Sequence, residues 1–187
     1  MGYTKPDSGK RHLVLDLEFL ALKPNAAITE IGIIDLLTDQ QLYLQINPHE
    51  QREDFAQDPG TIEWHLKRDP NYLINLAHTG VRPDYAAGTL HNWLNQVKAN
   101  SGKDLVIWCQ GTDCDIPIIV NFLRHYQYNL PWEYLNVRDI RTLAALFPHV
   151  EYKKGNHSAI EDARMAAEHL RKLAFGSFEV HQMLGLP

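Results

Sequence analysis

Three strand-like segments follow one another near the start of the chain, and the connections between them are too short for a crossover. HLVLDLEFL (12–20), ITEIGIIDLL (28–37) and QLYLQINP (41–48) are rich in branched and apolar residues. The turn ALKPNAA separates the first pair and TDQQ joins the second. Parallel neighbours need a crossover of a dozen or more residues, so these three form an antiparallel meander.

Beyond residue 50 the pattern changes. DPGTIEWHLKRDP (58–70) and NYLINLAH (71–78) read as short helices, and 84–98 as an amphipathic one with Leu90, Trp93, Leu94 and Val97 at helical spacing. DLVIWC (104–109) is a compact apolar strand. It is followed by a helix over 115–127, with Ile116, Ile119, Val120 and Leu123 on one stripe. Pro117 is tolerated only in a first turn, which places that helix's start close to Asp115. YLNVRD (134–139) is a short strand and IRTLAALFP (140–148) a helix stopped at Pro148. HSAIEDARMAAEHLRKLAF (157–175) opens on Ser158 and Glu161, a capping-box pattern, and ends at Gly176. Strands first, then helix and strand in alternation, give an α/β fold: a mixed β-sheet with helices on both faces. A domain over 12–175 follows, with a flexible N-terminal arm at 1–11 and a C-terminal tail at 176–187.

At 187 residues the chain is long enough for one domain with a real core. No run approaches the ~18 apolar residues of a membrane span. The polar start MGYTKPDSGKR has no apolar segment of a secretory signal, so a cytoplasmic protein is expected. Cys109 and Cys114 lack the further ligands of a zinc site and read as reduced, buried thiols. The net charge of −5 argues against a passive nucleic-acid binder, which carries a basic face, but not against an enzyme whose acidic site is neutralised by metal.

The first strand poses the chemical question. Strand side chains alternate faces, so Leu13, Leu15, Leu17 and Phe19 point one way. His12, Val14, Asp16, Glu18 and Leu20 then point the other, with two carboxylates side by side on an apolar strand. Asp115 stands where a strand gives way to a helix, and Asp162 near the start of the last long helix. Buried like charges are costly unless a cation or donors compensate them. Oxygen ligands suit Mg²⁺ or Mn²⁺, and two such ions about 3.5–4 Å apart clamp the attacking and leaving oxygens of a phosphodiester. His157, five residues before Asp162, is placed to take a proton from water as a general base. His49, His78, His125 and His149 read as solvated residues. Singly, each acid has a plainer explanation: Asp16 on a solvated edge, Asp115 as a helix cap, Asp162 favouring the helix dipole. The combination is far more specific than its parts.

That combination resembles the DnaQ-like, DEDDh-type 3′–5′ exonucleases of the ribonuclease H-like superfamily. LDLEF carries Asp16 and Glu18, QGTDCD carries Asp115, and HSAIEDA carries His157 and Asp162. KPNAAITEIGIIDL, TIEWHLKRDP and VRDIRTL are similar to a compact subgroup of phage exodeoxyribonucleases and bacterial exoribonucleases. The second motif departs from the pattern. Cys114 stands where Phe is usual, and Gln110 and Gly111 replace a polar pair, which alters how the scissile nucleotide packs but leaves the acid in place.

The resemblance implies a ribonuclease H-like fold, with Asp16, Glu18, Asp115 and Asp162 holding two divalent metal ions and His157 activating water. Its substrate would be single-stranded nucleic acid with a free 3′ end, its product nucleoside 5′-monophosphates, and its assembly a homodimer. Phe19 and Leu20 would wedge or stack on the last bases, with Trp64 as a second stacking residue and Glu63 bonding a base or a 3′-hydroxyl. Core packing is the plainer role for Phe19 and Trp64. Lys153 and Lys154 read as a solvated loop, with a phosphate contact as the alternative. An endonuclease or resolvase of the same fold remains a rival. So does a non-catalytic binding module, although clustered acids next to phosphate would gain such a module nothing.

Overall fold

The computed structural model describes residues 9–153 and 155–184, so Lys154 and most of the expected N-terminal arm lie outside the described residues. The expected meander is present. Strand β1 (Arg11–Phe19) pairs antiparallel with β2 (Ile28–Asp35), which pairs antiparallel with β3 (Gln41–Gln45). Strand β4 (Leu105–Cys109) then adds parallel to β1, and β5 (Val137–Asp139) parallel to β4. The sheet order is β3-β2-β1-β4-β5.

Helices cover both faces because β1, β2 and β4 are apolar on both. On one face Leu13, Leu15 and Leu17 of β1 meet helix α3 (Pro83–Ser101) through Ala86, Leu90 and Leu94. Helix α4 (Asp115–His125) joins them through Ile118, Ile119 and Phe122. On the other face Val14, Ile34, Val106 and Trp108 meet helix α5 (Ile140–Ala145) through Ile140. Helix α6 (Ala159–Gly176) packs there through Ala163, Ala167 and Leu170. The expected tail includes helix α7 (Phe178–Leu184), which adds Val180 and Leu184 to this second core. Each fully buried Val, Leu or Ile contributes about 1.5–3 kcal/mol, so two such cores can carry a few unfavourable buried charges. Helices α1 (Pro59–Arg68) and α2 (Tyr72–Thr79) lie outside the sheet layers and touch the first core through Ile62 and Leu73.

Two local expectations are corrected. The Ser158–Glu161 capping box does not form: Ser158 makes no side-chain bond to the α6 backbone, and Glu161 pairs with Arg164 instead. The strict alternation of β1 also fails at its end. Glu18 pairs with Glu30 but Phe19 pairs with Ile28, so the register shifts by one residue there. Leu20 follows the last residue of β1 at a bend, outside the strand, and lies in the first core with no exposed surface. Among the described residues no helix is long and apolar enough to cross a membrane, and Cys109 and Cys114 are both free thiols.

Candidate active site

Strands β1 and β4 run parallel and end at the same edge of the sheet, where ligand sites of α/β folds open. A cleft of about 650 Å³ lies there, lined by Asp16, Glu18, Asp115, His157 and Asp162. These five residues come from four places in the chain. Asp16 and Glu18 continue the face of β1 that carries Val14, beyond the point where the second core stops. Asp115 is the first residue of α4; its N-cap position is occupied by Cys114, so the helix-cap role does not apply. Its carboxylate turns toward the backbone of Leu17, and the residue is 6% exposed. Asp162 sits in the first turn of α6, its N–H donating to the Ser158 carbonyl at 2.9 Å. His157 holds a positive φ of 60°, an uncommon backbone for a residue with a Cβ and one that marks constrained sites. The ligand atoms of Glu18, His157 and Asp162 all lie within 4.8 Å of one another.

Such crowding raises the carboxyl pKa values. Glu18 is pushed up to about 8, first by burial and then by Glu30 and Asp162. Asp115 is pushed up to about 7 by burial, against the relief given by the Arg141 guanidinium. Asp16 is held well above the usual carboxylate range by burial and by Asp115, Asp162, Glu18 and Glu30 together. Four converging carboxylates form a donor set suited to hard divalent metal, whose charge would offset the repulsion.

The rim of the cleft is built differently. On α1, Trp64 and His65 face the cleft along with Thr61. Trp64 is 43% exposed and meets the His157 ring edge-on at 5.1 Å. Arg68 stacks over Trp64 at 4.7 Å and donates through Nη2 to the Asn156 carbonyl at 2.6 Å. Among the described residues, helix α1 meets the His157 loop through the Trp64 ring and the Arg68 side chain. His65 is buried, and its Nε2 donates to the Phe19 carbonyl at 3.0 Å while its ring stacks on Tyr72. Burial lowers the His65 pKa, and its bond to the Phe19 carbonyl holds Phe19 in place.

Of the expected substrate-binding residues, Phe19 and Trp64 line the cleft and the other two do not. Leu20 lies beyond the end of β1 and is sealed in the core. Glu63 lies on a different side of α1, ion-paired with Lys67 at 2.8 Å beside Ile62 and Leu66. Leu22 and Arg141 line the cleft without having been singled out for it, and Tyr152 lines it as well. The departure at Gly111 has a physical cause. Its φ is 108°, and a Cβ there would come within 2.9 Å of the Arg141 guanidinium. The same oxygen of Asp139 that accepts Thr112 belongs to the carboxylate capping α5, so this loop and Arg141 are placed together.

Residues 11–174 match the family described as the 3′–5′ exoribonuclease Rv2179c-like domain. The chain is also similar to an exodeoxyribonuclease of enterobacteria phage T4, 26% identical over 150 residues, covering 72% of this chain and 65% of the phage protein. Product-bound exonuclease I superimposes over 93% of this chain with a TM-score of 0.64 at 14% identity. The exonuclease I of Methylocaldum szegediense does so over 91% with a TM-score of 0.69 at 12% identity. The chain spans less than half of either, 45% and 42%. The nuclease domain of 3′hExo, a DEDDh family member bound to rAMP, is matched over 91% of this chain and 94% of its own, with a TM-score of 0.66 at 9% identity. These superpositions establish the ribonuclease H-like fold.

Proposed function

The chain belongs to the Rv2179c-like 3′–5′ exoribonuclease domain family, and from that premise we propose that it is a DEDDh-type nuclease that removes nucleotides from the 3′ end of a single strand as 5′-monophosphates. One observation carries the reading: Asp16, Glu18, Asp115, His157 and Asp162 converge on one cleft despite the repulsion among their carboxylates. Asp16, Glu18, Asp115 and Asp162 would hold two divalent ions, Mg²⁺ or Mn²⁺. Such ions supply charge neutralisation at the scissile phosphate and lower the pKa of water.

The chain's own residues do the rest. An imidazole nitrogen of His157 takes the proton of the attacking water. Trp64 offers an exposed ring face to a base, and Phe19, held through its carbonyl by His65, borders the terminal nucleotide. A cleft bordered in this way would admit a chain end rather than a loop of strand. A homodimer and a cytoplasmic setting belong to the same proposal. The test uses matched DNA and RNA oligonucleotides labelled at either end. Mononucleotides from the 3′ label at the first time points are expected, with loss of activity in excess EDTA. Early internal cuts, or cutting of circular single strands, would turn the reading to an endonuclease. Binding without turnover in Mn²⁺ would leave a binding module.

A further inference from the structure

The start of α6 carries both His157 and Asp162, yet its cap comes from another strand. A helix N-terminus leaves four backbone N–H groups without intrahelical partners, and a Ser at the N-cap ordinarily serves one of them. Ser158 stands in that position and does not do so. The Ala159 N–H instead donates to Glu30 Oε2 on β2 at 3.1 Å. The Ser158 hydroxyl turns to the same oxygen at 3.4 Å, and the Tyr43 hydroxyl donates to it at 2.9 Å. Glu30 is 3% exposed and does not line the cleft. Its backbone lies directly opposite Glu18, two residues from Gly32, which lies opposite Asp16.

A local cap would stabilise the helix as well, without placing a third carboxylate beside Glu18. The arrangement across strands adds one thing that a local cap cannot: it ties the first turn of α6 to the strand paired with the metal-ligand strand. Asp162 is linked to that turn by its own N–H bond to the Ser158 carbonyl, and His157 directly precedes it.

We propose that Glu30 is a positioning residue, a buried carboxylate that caps α6 from β2 and so sets where His157 and Asp162 stand relative to Asp16 and Glu18. The proposal rests on the reading of this cleft as the nuclease centre. Outer partners that orient metal-site residues are typically worth about 10–100-fold in metal affinity or activity. Glu30→Ala is therefore expected to lower kcat by about 10–100-fold with KM nearly unchanged, and to raise the Mn²⁺ midpoint in calorimetric titration by a similar factor. Glu30→Gln keeps an oxygen that can accept the Ala159 N–H, and should recover most of both losses.

Amide hydrogen exchange at Ala159 gives a third readout: fast in Glu30→Ala, slow in Glu30→Gln. Should Glu30→Ala fail to fold, Glu30→Asp, too short to reach Ala159, takes its place with the same expected losses. If Glu30→Ala lowers only the melting temperature, with kcat and Mn²⁺ midpoint unchanged, the residue is merely structural and the proposal falls. It falls too if Glu30→Gln is as impaired as Glu30→Ala. If the parent protein degrades no oligonucleotide, the nuclease reading fails by itself, while Mn²⁺ midpoint and Ala159 exchange still decide the role of Glu30.

Discussion

The floor and the rim of the cleft are held by different forces. Asp16, Glu18 and Asp115 stand at the ends of β1 and α4, with a core on either face of the sheet behind them. Trp64, Arg68 and His157 stand on α1 and on a loop, and meet through the Trp64–His157 ring contact, the Arg68 guanidinium over the indole and its hydrogen bond to the Asn156 carbonyl. The floor can store electrostatic repulsion because the sheet cannot yield. The rim is held instead by side-chain contacts between α1 and a loop. If that difference is real, substitutions in the floor should act on metal and chemistry, and those in the rim on substrate affinity.

The largest effect is expected from the floor. Asp16→Asn should cut kcat by about 10⁴-fold or more, as when one member of a catalytic unit is removed. It should also raise the melting temperature of the metal-free protein, since it relieves the crowding of carboxylates, and abolish the further rise that Mn²⁺ gives the parent. A metal-free melting temperature that falls would show that the floor is not strained. Next comes His157→Ala, where the two regions meet. Loss of general-base catalysis costs about 10²–10⁴-fold, read in kcat rather than KM. If the Mn²⁺ midpoint rises as well, the imidazole serves the metal directly, as its closeness to Glu18 and Asp162 allows. The rim should respond to Trp64→Ala chiefly in KM, since base–aromatic stacking is worth about 1–3 kcal/mol. A change confined to kcat would assign Trp64 to holding His157 and leave the stacking role empty.

Acidity separates the regions more gently. Glu18 titrates near pH 8 and Asp115 near 7 in the fold, far above an unfolded carboxylate. Between pH ~4.5 and those values the folded protein holds protons that the unfolded chain releases. Metal-free stability should therefore fall as pH rises through that window, by on the order of 1–3 kcal/mol in urea unfolding at pH 5.5 and 8. Mn²⁺ should flatten the slope, because metal and proton compete for the same oxygens. The smallest effect should follow Glu63→Gln. Its ion pair with Lys67 is exposed and away from the cleft, so KM should not change and stability should move by less than about 0.5 kcal/mol.

What the sequence disclosed follows the same division. The floor was legible because carboxylates on an apolar strand, or at the turn from strand to helix, contradict their surroundings, and only chemistry explains the contradiction. Period two held from Leu13 to Glu18. It misled at Leu20, because β1 ends at Phe19 and the chain bends there. Glu63 misled for a related reason: the rotation of α1 about its axis is set by where His65 and Ile62 bury. Glu30 was hidden most fully. In ITEIGIID it reads as the polar member of a strand, and nothing local tells that its partner is a backbone N–H 129 residues away. The Ser158–Glu161 pair, legible as a cap, was a correct local preference overruled by a tertiary one.

Gly32 has a consequence of a different kind. A Cβ at this position would run into the Ala159 carbonyl group and the Ile160 nitrogen, so the backbones of β2 and α6 touch with nothing between them. In a saturation library, position 32 should reject every side chain, alanine included, as sharply as the carboxylates reject substitution. A library selected for folding alone should still reject them there, while accepting Asn at Asp16. The two selections would separate what the protein needs to exist from what it needs to act. On that map Gly32 would fall with the first group although it faces Asp16 across the sheet.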